Sequence, residues 1–533
     1  MKKYKIFSLL FLMIMSMSCT DQLRQDELEL QENVNRQTSP AFLLSGSIVN
    51  ISTFLQQQGV AADEFNAIML YYMQLFGGNV KSQSHETFAF PRSNWAGEYK
   101  MLYDTTAGMD IAAEFNRPST AAALQVLQCV LFQYLTDIHG DIPYSEALDG
   151  REGNIKPVFD MQEDIYTGLL QTLDDAIATL GSSSDELEGD LLYNGDKQSW
   201  IKFANSLKIR LLVRSYDAFG GSKKAELQAA AGAMYIDDSM DNAGLSFEGT
   251  SSGNSWFWGP NRDAGGQSML GRKASGAFVE FLSANNDPRL SAWIAPALEP
   301  WGDAADSKTL YDYYGNSYDI EVLDKTGEDI GGFPLGQDYV GAPYLVQGLS
   351  TVYGNIQGGE DNPKLSSYTK IFGEDSNDLL KATLFEASEV SFCLAEAAKR
   401  GWITGDASAY YEAGIRDSME RWDIDGNDIA TYIAANPLPG TSEQDDLVVI
   451  LTEKWKSMFT QGHQSWFNYR RTGVPAEVAN YPSFITLPFP NRWRYPTVEV
   501  DNNNANAQIA VDRLGGDTQT DEIWIIKGVA PVQ

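Results

Sequence analysis

The chain is poor in the residues that most often carry enzyme chemistry. Among 533 residues there are three histidines and three cysteines. His85 and His463 lie far apart, so a Ser-His-Asp triad has few candidates, and no G-x-S-x-G elbow is present. No paired Cys or His spacing suggests zinc. Positive charge is scarce too: 39 Lys and Arg stand against 72 Asp and Glu, a formal net charge of -33. Such a field repels phosphates, which argues against nucleic acid and against lying flat on an anionic membrane. Beyond the N-terminus no apolar run reads as long enough to span a bilayer. No catalytic residue, metal or cofactor is therefore expected.

What is present starts at the N-terminus. Lys2, Lys3 and Lys5 precede an apolar run from Ile6 to Met15, interrupted only by Ser8, and Ser16-Met17-Ser18 lead into Cys19. A charged start, a short apolar core and small residues at the exit describe an export signal. A cysteine directly after the exit resembles the lipobox of bacterial lipoproteins, although Met15 stands where Leu is commonest and Ser18 where Gly or Ala is. Residues 1–18 are expected to be removed as a signal peptide, and Cys19 to carry the lipid that ties the mature chain to a membrane. An ordinary secretory signal with an incidental cysteine is the alternative. Residues 19–40, opening on the polar, acidic stretch Thr20 to Glu27, suit a flexible tether.

The 43% hydrophobic content is enough for a substantial core. Length alone allows two to four average domains or one large helical repeat unit. From Pro40 the patterns are mostly helical. Ala121–Asp137 is apolar enough for a buried helix. Trp200, Phe203, Ala204, Leu207 and Leu211 fall on one helical face; Val390, Cys393, Leu394, Ala397 and Ala398 repeat the spacing, as do Leu447, Ile450, Leu451, Trp455, Met458 and Phe459. Helices fall in pairs, Asp164–Leu180 with Ser199–Ala218 and Phe385–Arg400 with Ala407–Trp422, similar in size to tetratricopeptide-type repeats. The expected fold is mainly α: helix pairs forming a curved scaffold, with residues 41–533 as a single domain. Cys129 and Cys393 sit inside apolar helical patterns as buried thiols, and a disulfide between them is left open.

Between about Phe219 and Leu384 the helical signal weakens, and only Ser275–Leu282 reads as helix. Gly, Asp, Asn, Ser and Pro dominate here, with aromatics interspersed. Loops this long inside a domain are often functional. Sugar rings pack their C–H faces on Trp and Tyr, while Asn, Asp and Arg hydrogen-bond the hydroxyls. The candidate ligand-binding residues are therefore Trp256, Trp258, Trp301, Tyr313 and Tyr314, with Asn261 and Arg262 beside them. The competing reading is that these rings pin long loops in small satellite cores. Trp95, followed by Tyr99, is read as core. His139, between Asp137 and Asp141, is read as part of a helix-end turn fixed by Gly140 and Pro143. Asp423 to Asp428 lacks the glycine and glutamate of a calcium loop, so it too is read as a helix-ending turn. With 72 acids some carboxylate pair is inevitable, and nothing marks two of them for glycoside hydrolysis.

Several stretches together resemble the SusD/RagB family of nutrient-binding surface lipoproteins. They are Thr136-Asp137-Ile138-His139-Gly140-Asp141-Ile142-Pro143-Tyr144, the helix Phe203 to Leu211, and Glu389 to Ala397. Lys454-Trp455 with Trp466 and Arg470-Arg471-Thr472-Gly473-Val474-Pro475, then Pro490 to Pro496 with Glu499, complete the order. The closest likeness is to the SusD-like lipoprotein subgroup. That resemblance implies a helical scaffold whose loop-rich part, about 219–384, carries the ligand, a glycan or oligosaccharide. It further implies the outer membrane's exterior face and a SusC-like TonB-dependent transporter as partner. Lys454, Trp455, Trp466, Arg470 and Arg471 are expected to pack rather than bind. A peptide-binding surface scaffold is the alternative, and a glycoside hydrolase a weaker one.

Overall fold

The computed structural model describes residues 39–56, 69, 73, 75–78, 95–247, 272–297, 309–311, 317–319, 339, 341, 366–368, 379–480 and 489–532. Cys19 and the tether lie outside them. The first half runs α1 (Pro40–Gln56), β1 (Phe76–Gly78), α2 (Ala96–Glu114), α3 (Pro118–His139), α4 (Gln162–Ser182), α5 (Lys197–Ser215) and α6 (Lys224–Ala231). Each long helix packs on the next in chain order, α1 on α2, α2 on α3, α3 on α4 and α4 on α5, as stacked repeats do. The middle holds β2 (Ala243–Leu245), β3 (Arg272–Ala274), α7 (Gly276–Ala284), α8 (Arg289–Trp293), β4 (Thr309–Tyr311), β5 (Ser317–Asp319) and β6 (Ala382–Phe385). The last part is α9 (Ala387–Lys399), α10 (Ala407–Glu420), α11 (Gly426–Ala435), α12 (Glu443–Ser457), α13 (Gly462–Thr472), α14 (Glu477–Asn480), α15 (Thr497–Asn502) and α16 (Asn504–Leu514). Here α9 packs on α10 and α12, and α5 on α9 joins the two helical halves.

Local chemistry explains where these helices start. Asp196 accepts from the backbone N–H of Gln198 and Ser199 at the head of α5; Asp406, Asp425 and Ser442 cap α10, α11 and α12 in the same way. The acidic first turn of α12 and its Lys454 and Lys456 in the last turn both complement the helix dipole. The stretch resembling a calcium loop is a turn with Asp423 at positive φ, followed by the α11 cap, so it starts a helix as well as ending one.

Three sequence expectations need correction. α5 was expected to bury one face, yet nearly every side chain from Trp200 to Ser215 is buried, because α3, α4, α6 and α9 surround it. Its charged residues survive burial by pairing: Arg210 and Glu389 are both 1% exposed and joined by two hydrogen bonds, and Arg214 bonds Asp137. The loop-rich stretch also contains α6 and α8 beside the expected α7, which begins at the Ser275 cap. Finally, α3 is long and apolar enough by composition to cross a membrane, but it is mostly buried within the protein. Cys129 and Cys393 are separate buried thiols, not a disulfide.

The signature motifs meet in one place. Arg470 donates to the carbonyls of Asp137 and Asn491, Trp466 Nε1 to Pro490, and Arg492 Nε to His139. Tyr495 Oη donates to the Asp141 carbonyl at 2.9 Å. His139 is fully buried: its Nε2 accepts from the Trp95 indole at 3.1 Å, so Nδ1 carries the proton that bonds the Trp493 carbonyl, also at 3.1 Å. A histidine held this way is a neutral structural joint. Lys454, Trp455, Trp466 and Arg471 are likewise buried, as their expected packing role requires.

Candidate ligand-binding region

The loop-rich part leaves and re-enters the scaffold at two nested closures. The outer one is the antiparallel pair β2–β6, where Leu245 faces Ala382 and Ala243 faces Phe385. Residues 246–381 therefore depart and return at adjacent backbone positions. The inner closure is the bridge between Ala295 and Ser367, with Ala295 N donating to the Ser367 carbonyl at 2.8 Å. Lys273 also bridges Ser367, and β3 pairs with β1, which ties residues 76–78 to the same rim. The inner excursion contains the β4–β5 hairpin, in which Tyr311 faces Ser317.

Aromatic rings anchor this rim to the scaffold. Phe278 of α7, Trp293 of α8 and Phe459 lie with ring planes within 14° of one another, the Trp293 and Phe459 centroids 4.5 Å apart. Tyr368 and Trp422 close on Phe459, and Trp455 meets Phe278 edge-on. Polar ends of these rings hold the incoming strands: Trp455 Nε1 donates to the Met73 carbonyl at 2.9 Å, and Tyr368 Oη donates to that of Leu75. Burial of such rings, each worth several kcal/mol when removed, makes the rim a rigid base.

Beside the rings lies a buried charge cluster. Arg289 clasps Asp287 through Nε and Nη2 at 2.8 and 2.6 Å and reaches Glu453 at 2.6 Å. Lys456 Nζ donates to Glu453 at 2.7 Å and to Tyr432 Oη at 3.0 Å. Burial alone would raise the Glu453 carboxyl, but the Lys456 ammonium and the Arg289 guanidinium outweigh it and hold it below the usual range. These groups saturate one another, which suits a frame better than a reacting centre.

The candidate residues Trp256, Trp258, Asn261 and Arg262 fall in the arm between β2 and β3, and Trp301 in the inner excursion. Tyr313 and Tyr314 fall in the five-residue connection between β4 and β5. All seven lie outside the described residues, as do Cys19 and His85. The structure thus describes the points from which their segments spring, not the side chains. Trp95 is 2% exposed, in the core as expected. Sequence reasoning missed Trp293 and Tyr368; short elements such as α8 carry too few residues for periodicity to reveal them. Among the described residues no group of His, Cys, Asp or Glu is arranged to hold a metal ion.

A family model described as SusD-like, starch-binding and associating with the outer membrane, matches residues 32–496. Among solved structures, the fold is similar to a SusD homologue from Bacteroides fragilis at a TM-score of 0.73 and 20% identity, covering 92% of this chain and 100% of that one. A second SusD homologue from the same organism gives 0.71 at 24% identity, with 92% and 99% covered. A protein named as chitin-binding gives 0.68 at 23% identity, with 92% and 100% covered. No curated protein matches the chain.

Proposed function

From the premise that this chain belongs to the SusD-like family of nutrient-binding, outer-membrane-associated proteins, we propose that it captures an oligosaccharide with the loops of residues 246–381. It then delivers that ligand to a SusC-like TonB-dependent transporter, while a lipid on Cys19 holds it on the outer membrane facing the exterior. It works by binding, without catalysis.

One observation carries the reading. Two nested excursions that carry the candidate Trp, Tyr, Asn and Arg residues are each closed by backbone pairing, and aromatic packing makes the inner closure rigid. Binding loops on a rigid base lose less entropy on capture than loops that must order themselves. The relative named as chitin-binding supports a carbohydrate as the ligand class, without naming the sugar. The saturated charge clusters and the neutral His139 joint support binding over turnover.

Copurification in mild detergent tests the partner. The expected result is recovery of a β-barrel transporter with the full-length lipoprotein, and its repeated absence overturns the delivery step. Binding to a panel of oligosaccharides and peptides tests the ligand class; peptide binding without saccharide binding would favour the peptide-scaffold reading instead.

A further inference from the structure

A cleft of about 360 Å³ borders the charge cluster where the end of α7 meets the scaffold, lined by none of the seven candidate residues named above. Its wall is one face of α12, where Val448, Val449, Thr452, Glu453 and Lys456 recur at i, i+1, i+4, i+5 and i+8. The end of α7 contributes Phe281 and Asn285. The end of α11 contributes Asn436, whose carbonyl accepts from Tyr411 Oη at 3.0 Å.

Two features of this cleft point to a ligand of one kind. The first is charge. In a chain of net charge -33, an open helix face would ordinarily carry free acids. Here Glu453 and Lys456 are the charged residues in the lining, and both are consumed in the cluster with Asp287 and Arg289, two negative groups against two positive. The cleft therefore presents no unbalanced charge, and an ionic ligand would gain nothing there while losing its hydration. The second feature is the mixture of surfaces. The Phe281 ring and the Val448 and Val449 side chains offer apolar contact, with Val448 left 38% exposed. The Asn285 amide and Thr452 hydroxyl stand beside them with no hydrogen bond to any other described residue. Asn285 is held at the mouth by the turn that follows α7, where Asn286 takes positive φ and Asp287 N returns to the Leu282 carbonyl.

We propose that this cleft is a second binding site, for a neutral sugar unit, on the helical scaffold. Apolar faces meet the C–H side of a pyranose, and amide and hydroxyl groups meet its hydroxyls. The proposal takes its ligand class from the carbohydrate reading above, but it concerns different residues. A second site on the same chain would let one long glycan bind at two points and so raise avidity.

The test uses the full-length protein in mild detergent with methyl-labelled valine, titrated with maltose, cellobiose, lactose, N,N′-diacetylchitobiose, glucuronate and a proline-containing tripeptide. The expected result is saturable shifts at the Val448 and Val449 methyls with at least one neutral disaccharide and none with glucuronate. The double variant Asn285→Ala/Thr452→Val, checked for native circular dichroism, is expected to weaken that binding at least fivefold. No shift at these methyls with any neutral disaccharide overturns the second site, as does full affinity in the double variant or a response to the tripeptide alone. Saccharide binding that disappears with Trp256→Ala/Trp258→Ala, with these methyls silent, leaves the loop reading standing and removes only this one. Shifts here that persist while the loop variants change nothing do the reverse.

Discussion

In the helical scaffold, side chains of opposite charge are buried against each other: Arg210 with Glu389, Arg214 with Asp137, and Arg471 with Glu396 through two bonds of 2.7 Å. The excursion 246–381 shares one such cluster, Asp287 and Arg289 with Glu453 and Lys456 of α12, but is otherwise attached by backbone pairing at β2–β6 and Ala295–Ser367 and by aromatic rings at its root. Buried ion pairs tolerate little change, since removing one partner strands the other charge. Backbone pairing constrains only the ends of what it carries, so outside the packed α7 and α8 the sequence between is freer to vary. A scaffold of the first kind holding loops of the second can keep its fold while its ligand changes.

The largest test of that contrast is Glu389→Ala. Arg210 would be left buried and uncompensated, and stability should fall by about 3–5 kcal/mol in chemical denaturation. Ligand affinity measured below the transition should stay at the parent value. If affinity fell in proportion, the two regions would not be separable.

Trp256→Ala and Trp258→Ala should do the opposite. Each is expected to weaken oligosaccharide binding by about 1–3 kcal/mol with the melting temperature unchanged, the scale of losing an aromatic contact at the centre of a site. Unchanged calorimetric affinity in both variants would move the site elsewhere, and a lowered melting temperature would show that the rings serve to pin the loops.

How much was legible in the sequence differs between the regions for the same physical reason. α12 announces itself because a 3.6-residue apolar period follows directly from one-sided burial, and α3 because a helix buried nearly all round is apolar along its length. α6 does not, since only Leu227 and Ala230 of its eight residues are buried. The partners of Lys208, Arg210 and Arg214 were hidden as well: Asp174, Glu389 and Asp137 come from other helices, and no local spacing encodes such a pairing. The motif clustering of Asp137, Arg470 and Arg492 was legible only as a recurring order, and its meaning as a structural joint needed the fold. Candidate binding residues could be proposed from composition alone, because loops carry no period to place them.

One buried carboxylate breaks the scaffold's pairing rule and gives the third prediction. Asp417 is 6% exposed and accepts from Ser391 Oγ at 3.0 Å, but no cation pairs with it among the described residues. Burial, reinforced by Glu420, Asp238 and Asp237, outweighs the Ser391 bond and pushes its carboxyl up to about 7. The folded state therefore holds a proton that the unfolded state has already released above about pH 4. Stability from this group is fully present at low pH and is lost as pH rises through about 7. Asp417→Asn keeps the shape and removes the titration, so it should stabilise the protein by about 1–3 kcal/mol at pH 8 and by little at pH 4. A pH-independent difference between variant and parent in thermal melts would refute the assignment.

The smallest expected effects form the most direct comparison, because the chemistry is the same in both regions. Ser442 caps α12 in the scaffold through the Asp445 N–H at 3.0 Å, and Ser275 caps α7 in the excursion through the Phe278 N–H at 3.1 Å. Replacing either serine by alanine removes one cap worth about 1 kcal/mol. In Ser442→Ala that loss should appear in global unfolding, since α12 packs on α9 and α10 and cannot open alone. In Ser275→Ala it should appear mainly as faster amide exchange in α7, with a smaller change in the global transition, because segments tied at a rim can open sub-globally. Equal shifts in global unfolding, with no local exchange difference, would mean that Phe278 and Trp293 bind the excursion into the scaffold's single cooperative unit.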